Sequence, residues 1–189
     1  TLIDYSNNDF NFLDKTIISI ACGSYHSLAL TNDGKVYALG VTEFGSFGAV
    51  VSNVVNPTLI DYSNNDFNFL DKTIIGIAAG GFYSLALTDE GKVYAWGFNY
   101  QGQLGIGVSG SNASRKNPTL IDYSNGDFNF LDETIISVSA GYYHSFAVTD
   151  QGKVYSWGYN YYGQLGLDDS TDRLNPTLIN LNNPPDVSI

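Results

Sequence analysis

The sequence predicts an all-β fold built of β-propeller blades of four antiparallel strands, three blades followed by the start of a fourth. A segment beginning TLIDYSN occurs at Thr1, Thr58 and Thr119, and its first residues return at Thr177, so the spacings are 57, 61 and 58 residues. Two runs with strand-like alternation, joined by a short turn that contains Gly, follow each of the first three copies. Repeats of this length that hold several short strands are typical of propeller blades.

Each repeat begins with two predicted strands. TLIDY alternates polar and apolar residues, and we expect it to be the first strand of its unit. The second, TIISIA in residues 16–21, is apolar almost throughout, which is typical of a strand covered on both faces. The intervening SNNDFNFLDK predicts a loop with one helical turn whose aromatic side chains pack on the blade. The predicted repeats are 1–57, 58–118 and 119–176, with 177–189 as the start of a fourth repeat or a clasp segment.

The third and fourth strands of each unit form a predicted hairpin. In the third repeat the runs HSFAVT and KVYSWG flank the turn Asp150-Gln151-Gly152, and we expect a positive φ at Gly152. All of the length variation between repeats falls in the loop that follows the hairpin. Insertions are tolerated in exposed loops, so we expect this loop to lie on the surface.

Residues at equivalent positions of this segment have predicted structural roles. Glycines end the hairpins where a side chain would obstruct the next blade, and tryptophans supply apolar surface between blades. In the following loops, leucines point inward and glutamines bond to the surrounding backbone groups. These residues are Gly40, Gly97, Gly158, Trp96, Trp157, Leu104, Leu165, Gln103 and Gln164.

The repeat pattern resembles that of a known family. The third repeat reads GYYHSFAVTDQGKVYSWGYNYYGQLG from Gly141 to Gly166, and Gly80 to Gly105 matches it closely. This pattern is similar to the repeat of the regulator of chromosome condensation family, whose complete members are seven-bladed propellers. The first repeat departs from it, with Leu39 in place of Trp. The resemblance implies a propeller scaffold of the kind that promotes nucleotide exchange on a small nuclear GTPase, binds nucleosomes or serves as an interaction module.

The composition argues against nucleic acid and membrane partners. The chain carries 19 acidic and 8 basic side chains, and the resulting formal charge of −11 repels phosphate backbones and anionic lipid. No apolar run approaches the roughly 18 residues that a membrane span requires. Cys22 is the only cysteine, and we expect a small buried filler there because Ala79 and Ala140 occupy its position in the other repeats.

No motif in the sequence predicts catalysis, a cofactor or a resident metal ion. His26 and His144 align with Tyr83, and a polar tip that bonds to a neighbouring loop explains both residue types better than a catalytic role does. The acidic loop at residues 168–172 has carboxylates that could hold calcium, but a solvated turn is the favoured interpretation. We therefore expect a protein that is not an enzyme.

Four aromatic residues form a predicted interaction face. Tyr25, Phe82 and Tyr143 have equivalent positions just before each hairpin, and Tyr142 adjoins them. We expect them to line one face of the propeller, with burial inside the blade as the alternative. Asn112 begins the only N-glycosylation sequon that Pro does not block, and it lies in the longest insertion.

Two functional hypotheses from different classes follow. The first is a non-catalytic interaction or structural scaffold whose faces bind protein or glycan, with an extracellular or cell-surface location favoured over a cytoplasmic one. The second, which the resemblance implies, is a guanine-nucleotide exchange regulator of a small GTPase. Near-identical repeats favour the first hypothesis, because exchange on one partner requires one unique loop rather than copies of a common one.

Three blades cannot close a propeller, which typically has four to eight. The two terminal blade faces would be apolar surfaces larger than a soluble monomer normally exposes. We therefore expect the chain to associate head to tail with itself, as a ring or filament, or to be covered by further blades of a longer chain.

Overall fold

The structure is a computed structural model that describes residues 15–41, 54–61, 63–64, 67–125 and 128–180. Within these ranges the chain forms three four-stranded antiparallel sheets, so the predicted all-β blade architecture is confirmed. Predictions for TLIDY in the first repeat and for residues 181–189 lie outside the described residues.

The strands follow one another in the same order in every sheet. The first sheet contains β1 (Ile17–Cys22), β2 (His26–Thr31), β3 (Val36–Gly40) and β4 (Val54–Leu59), and is followed by a short ribbon of β5 (Ser63–Asn64) and β6 (Phe67–Asn68). The second contains β7 (Ile74–Ala79), β8 (Tyr83–Thr88), β9 (Val93–Gly97) and β10 (Arg115–Leu120), and is followed by β11 (Ser124–Asn125) and β12 (Phe128–Asn129). The third contains β13 (Ile135–Ala140), β14 (His144–Thr149), β15 (Val154–Gly158) and β16 (Arg173–Leu178).

The sheets are out of phase with the sequence repeats. Leu59 of β4 pairs with Tyr37 of β3, so the strand at the start of the second repeat is the last strand of the first sheet. The prediction that this segment opens its own unit is therefore wrong. For the same reason Thr177 and Leu178 belong to the third sheet, where they pair with β15, and do not start a clasp. The assignment failed because a repeated sequence has no intrinsic starting point.

The first strand of each sheet is not covered on both faces, contrary to its apolar sequence. Ile18, Ile75 and Ile136 are 57%, 52% and 56% exposed. Each follows the first residue of its strand, where the register with the neighbouring strand shifts at a bulge. A bulge leaves an extra residue unpaired and turns its side chain away from the regular alternation. β1 contacts β7, and β7 contacts β13, so these strands lie side by side in the molecule.

The hydrophobic core lies between successive sheets. Leu28, Leu30 and Val36 of the first sheet share one buried cluster with Trp96 and Tyr94 of the second. A matching cluster joins the second and third sheets. The predicted helical turn is confirmed as two 3₁₀ turns, Phe69–Asp71 and Phe130–Asp132, each of which buries its phenylalanine in a junction.

The outer faces of the first and third sheets lack such cover among the described residues. Ile20 is 72% exposed, whereas its equivalents Ile77 and Val138 pack against the clusters. On the third sheet, Phe146 and Val148 are partly exposed, although the equivalent leucines of the other sheets are buried.

Cys22 lies on the same open face of the first sheet as Ile20. Its side chain is exposed and free, so the prediction of a buried filler is wrong. The alanines at its position in the other sheets, Ala79 and Ala140, pack against the junction clusters. The side chain is exposed because no described sheet packs on this face.

Candidate interaction surface

Two sets of connections meet at one end of the sheets. The turn that joins the first and second strands of each sheet lies beside the start of the loop that follows the third strand. The backbone holds them together: the Val41 N–H donates to the Tyr25 carbonyl, the Phe98 N–H to Phe82, and the Tyr159 N–H to Tyr143, over 2.8–2.9 Å. Both connections carry aromatic side chains, so the strand ends bring these rings together.

The four aromatic residues predicted from the sequence lie next to one another at this end. The rings of Tyr25 and Phe82 are stacked, with centroids 4.5 Å apart. Phe82 then meets Tyr142 at 6.5 Å, and Tyr142 meets Tyr143 edge to face at 4.4 Å. The contacts therefore cross from the first sheet to the third.

The loops after the third strands extend this row of rings. Phe98 contacts Phe82, Tyr100 and Tyr143, with centroids 6.1–6.4 Å apart. Tyr143 meets Tyr159 at 6.4 Å. Tyr159 in turn contacts the rings of two further tyrosines. We refer to the whole set as the aromatic surface: Tyr25, Phe82, Phe98, Tyr100, Tyr142, Tyr143, Tyr159, Tyr161 and Tyr162.

Much of the aromatic surface is open to solvent. Tyr161 and Tyr162 are 67% and 80% exposed, and Tyr25, Tyr100 and Tyr142 are 44–53% exposed. The members that sequence reasoning missed are those in the loops after the third strands. A signal was present, because FNY and YNYY follow the hairpin glycine at equivalent positions of the second and third repeats.

A shallow recess of about 280 Å³ adjoins the aromatic surface. It is lined by three equivalent segments at the ends of the first strands, 22–24, 79–81 and 140–142. These segments are short-chained apart from Tyr142, and a Cβ on Gly81 would lie 2.9 Å from the Tyr142 carbonyl oxygen. The recess therefore offers mainly backbone and small side chains, together with the Cys22 thiol and the Tyr142 ring.

Two buried asparagines shape the loops beneath the aromatic surface. Asn99 accepts a hydrogen bond from the Leu104 N–H at 2.9 Å, and its amide donates to the Val108 carbonyl at 2.8 Å. In the third repeat, Asn160 accepts the equivalent hydrogen bond from the Leu165 N–H at 2.9 Å. Sequence reasoning assigned this role to the glutamines and missed the asparagines.

The predicted glutamines and leucines lie within the same loops. Leu104 and Leu165 are fully buried. Gln103 and Gln164 each accept one hydrogen bond, from the backbone N–H two residues earlier, at 2.9–3.0 Å. The sequence predicted that each glutamine would bond to several surrounding backbone groups, and the structure shows one such bond for each.

Trp157 connects the third sheet to the loop of the second. It is fully buried, and its Nε1 donates to the Gln103 carbonyl at 2.9 Å. Trp96 is likewise fully buried, in the junction between the first and second sheets. At the corresponding position of the first sheet, Leu39 is only partly buried.

The hairpin glycines are required for a different reason than the predicted one. Gly40, Gly97 and Gly158 have φ between +98° and +114°. A Cβ on Gly97 would overlap the Phe82 carbonyl oxygen and lie 2.7 Å from the Tyr83 Cα, both in the same sheet. A side chain would therefore obstruct the hairpin itself. Only at Gly158 do the three closest atoms include one from a neighbouring repeat, the Gln103 Cα in the loop after β9 at 3.2 Å.

The side chains of His26 and Tyr83 lie at equivalent positions, and each forms a hydrogen bond with the equivalent strand of the next sheet. The His26 Nε2 lies 2.9 Å from the Ser84 Oγ, and the Tyr83 hydroxyl donates to the His144 carbonyl at 2.5 Å. The partners are strands rather than the predicted loops. Burial lowers the pKa of His26 to about 4 and also lowers that of His144. The His26 and Tyr83 side chains therefore connect neighbouring sheets, and both histidine rings are neutral at physiological pH.

The acidic loop is occupied by contacts within the chain. The Asp169 carboxylate pairs with Arg173 at 2.6 Å and accepts from the Thr171 N–H at 2.8 Å. The Asn160 N–H donates to Asp172 at 2.7 Å. Within the described residues, no three His, Cys, Asp or Glu side chains are grouped as metal ligands. The described part of the chain also contains no helix with the length and apolarity of a membrane span.

Asn112 lies in the loop between β9 and β10, at the same end of the sheets as the aromatic surface. Its side chain is exposed. A glycan at this position would therefore be attached at the end of the sheets that carries the aromatic surface.

Known proteins share this repeat. The ultraviolet-B receptor UVR8 of Arabidopsis thaliana is 31% identical over 161 residues, which are 85% of this chain and 33% of the receptor. The structure of human WBSCR16 superimposes with a TM-score of 0.73 at 26% identity, over 88% of this chain and 41% of that chain. Prp20p of Saccharomyces cerevisiae, reported with its binding to Gsp1p and histones, gives 0.67 at 27% identity, over 87% and 38%. The chain thus spans well under half of each of these proteins.

Two family profiles match the chain, and one of them is in register with its sheets. One profile of the regulator of chromosome condensation (RCC1) repeat matches residues 17–45, 74–103 and 135–164, which contain the first three strands of each sheet. A second matches residues 90–148 and 151–188. With more than half of its residues matched and three propeller sheets of the expected topology, the chain belongs to the regulator of chromosome condensation repeat family.

Proposed function

We propose that this chain is a non-catalytic interaction module that binds a protein partner through the aromatic surface. The observation that carries the proposal is the unbroken row of ring contacts from Tyr25 to Tyr162 across the three sheets. Aromatic residues are enriched at protein interfaces, and contiguous exposed apolar patches mark interaction sites. The binding of Gsp1p and histones by the related Prp20p agrees with a propeller that acts by binding proteins.

Photo-crosslinking in cells that make the full-length protein tests this proposal. A photoreactive amino acid at Tyr100 or Tyr142 should crosslink to a discrete partner. The same group at Glu90 or Gln151, in hairpin turns at the opposite end of the sheets, is the control. Equal crosslinking from both ends would contradict the assignment of the aromatic surface.

Nucleotide exchange on a small GTPase is the second candidate. It is favoured by the similarity to Prp20p, whose structure is reported with its binding to Gsp1p. An exchange assay that follows release of a fluorescent guanine nucleotide from a panel of small GTPases distinguishes the two candidates. Stimulation by the purified chain would favour exchange, and no stimulation together with crosslinking at the aromatic surface would favour the interaction module.

We further propose that the purified chain associates head to tail through the open faces of its first and third sheets, unless blades of a longer protein cover them. The support is the exposure of Ile20 on one face and the partial exposure of Val148 on the other. The two faces differ, so the contact is heterologous and leads to a ring or a filament.

We also propose an extracellular or cell-surface setting for the chain, with glycan as the alternative to a protein ligand. It is supported by the exposed sequon at Asn112, in the loop between β9 and β10. Mass spectrometry of the protein from its own host, before and after N-glycosidase treatment, tests it. An unmodified Asn112 would remove this support.

A further inference from the structure

The third repeat carries a cluster of three tyrosines, and the sequences of the first and second repeats do not have tyrosine at all three of these positions. The rings of Tyr159 and Tyr161 are nearly parallel at 6.3 Å, with an interplanar angle of 9°. Tyr162 stands at 83° to Tyr159 and at 90° to Tyr161, with centroids 6.1 and 5.0 Å away. In the second repeat, Gln101 occupies the position of Tyr162, so only the parallel pair Phe98 and Tyr100 is present.

This tyrosine cluster (Tyr159, Tyr161 and Tyr162) presents open rings at right angles to one another. Tyr161 and Tyr162 are 67% and 80% exposed, the two most open aromatic side chains among the described residues. An aromatic ring is negative over its face, and a cation within about 6 Å of its centroid is attracted to it. Perpendicular rings at close range therefore form two sides of a corner that suits a cationic group.

Carboxylates border the same cluster. Asp172 accepts a hydrogen bond from the Asn160 N–H, between the first two tyrosines of the cluster, at 2.7 Å. Desolvation raises the pKa of Tyr159, and the nearby Tyr162 and Asp172 raise it further. Arg173 is the cation closest in sequence, and it is paired with Asp169 at 2.6 Å. The surroundings of the rings are therefore acidic, as is the whole chain, with its formal charge of −11.

We propose that the tyrosine cluster binds an arginine or lysine side chain in an extended basic segment of a partner protein. The proposal rests on the proposed interaction function and specifies the chemistry of the partner. The ring faces supply cation–π attraction, and the negative field draws a basic segment to the surface. The same field opposes a phosphorylated or acidic segment, so the sign of the charge selects the partner.

Fluorescence anisotropy with defined peptides tests this proposal on the purified chain. The probes are a labelled peptide of alternating arginine and glycine, the same peptide with citrulline in place of arginine, and one with glutamate. Citrulline keeps the shape of arginine and removes its charge. We expect the arginine peptide alone to bind, with an affinity that weakens as salt is raised because exposed charges are screened.

Ring removal separates cation–π attraction from general apolar contact. Tyr161→Leu and Tyr162→Leu should each weaken binding of the arginine peptide by about threefold, and the double variant by about tenfold. Tyr161→Phe and Tyr162→Phe retain the rings and should bind within about twofold of the parent. Leu178→Ala changes an exposed apolar side chain on β16, outside the aromatic surface, and should bind as the parent does.

Unfolding curves identify any variant that fails to fold. If a leucine variant does not fold, the comparison of the arginine and citrulline peptides on the parent and on the folded phenylalanine variants still tests the proposal. Equal affinity for the arginine and citrulline peptides, or unchanged affinity in the double leucine variant, would overturn the proposal. Crosslinking of the aromatic surface to a partner without basic segments would also overturn it, while leaving the interaction function in place.

Discussion

His26 shows how burial of one ionisable side chain makes the junction between sheets sensitive to acid. It is 3% exposed, and its Nδ1 has no hydrogen-bond partner in the described structure. Burial desolvates the charged ring, so the folded protein favours the neutral form and the pKa of His26 is lowered from 6.5 to about 4. The unfolded chain consequently binds more protons between these two values.

The free energy of unfolding should therefore fall as the pH drops from about 6.5 to about 4, by at most about 3 kcal/mol for His26. Above pH 6.5 the contribution is fully present. His26→Tyr, which copies the residue of the second sheet, should reduce the loss, as measured by urea unfolding at several pH values. His144→Tyr is the control at a half-buried site and should reduce it less. An unchanged pH slope in His26→Tyr would contradict this account.

Trp157 should be among the most costly residues to truncate. It is fully buried, and its Nε1 bonds to the Gln103 carbonyl. Trp157→Ala should lower the free energy of unfolding by about 3 to 5 kcal/mol, because it leaves a cavity and removes the Nε1 hydrogen bond, although the Gln103 carbonyl keeps its bond from the Ser145 Oγ. Denaturant unfolding provides the measurement. Leu39→Ala, at the partly buried equivalent position, should cost less, and an equal loss would show that the Trp site is not specially packed.

At the scale of the element, the hairpins require glycine at two places for different reasons. Gly97 has φ of +105°, and a Cβ there would overlap the Phe82 carbonyl. Gly152 has φ of +73°, but no atom lies within 4 Å of a Cβ built on it. Gly152→Ala should cost about 1 kcal/mol from the backbone conformation alone, and Gly97→Ala at least about 2 kcal/mol more. Similar thermal unfolding midpoints for the two variants would contradict the difference.

The elements show what sequence reasoning could and could not predict. The hairpins and their glycine turns were predictable because their signals are local, including the positive φ of Gly152. The phase of the sheets was not, because the segment at Thr58 alternates equally well as a first or a last strand. The exposure of Ile18 was missed because a bulge alters which face a residue occupies without changing the composition of the strand.

The candidate site likewise contains residues that the sequence predicted and residues that it did not. Tyr25, Phe82, Tyr142 and Tyr143 were found by register, since equivalent turns must lie side by side in stacked units. Asn99 was missed because its hydrogen bonds join distant parts of the loop after β9, and the partners in such a loop depend on its path. The right-angle arrangement of the tyrosine cluster likewise depends on that path and not on spacing.

The open faces of the first and third sheets predict that two charged variants fail to self-associate alone but associate with each other. Ile20→Asp places a charge on the open face of the first sheet, and Val148→Asp places one on that of the third. Each variant alone should remain a monomer in sedimentation velocity, because burying an unpaired charge is costly. An equimolar mixture should form dimers only, since each variant retains one of the two faces. A parent chain that is monomeric at micromolar concentration would refute head-to-tail association.

The offset between sequence repeat and sheet has a consequence for how such a protein can grow by gene duplication. Because β4 comes from the start of the second repeat and pairs with β3, the inherited unit straddles two sheets. A duplication or deletion of one whole period therefore leaves every strand with a partner, wherever in the period the recombination occurs. The near identity of the segments at Thr1, Thr58 and Thr119 is what such events leave behind. Blade number can change in this lineage by copying alone, without inventing a new junction.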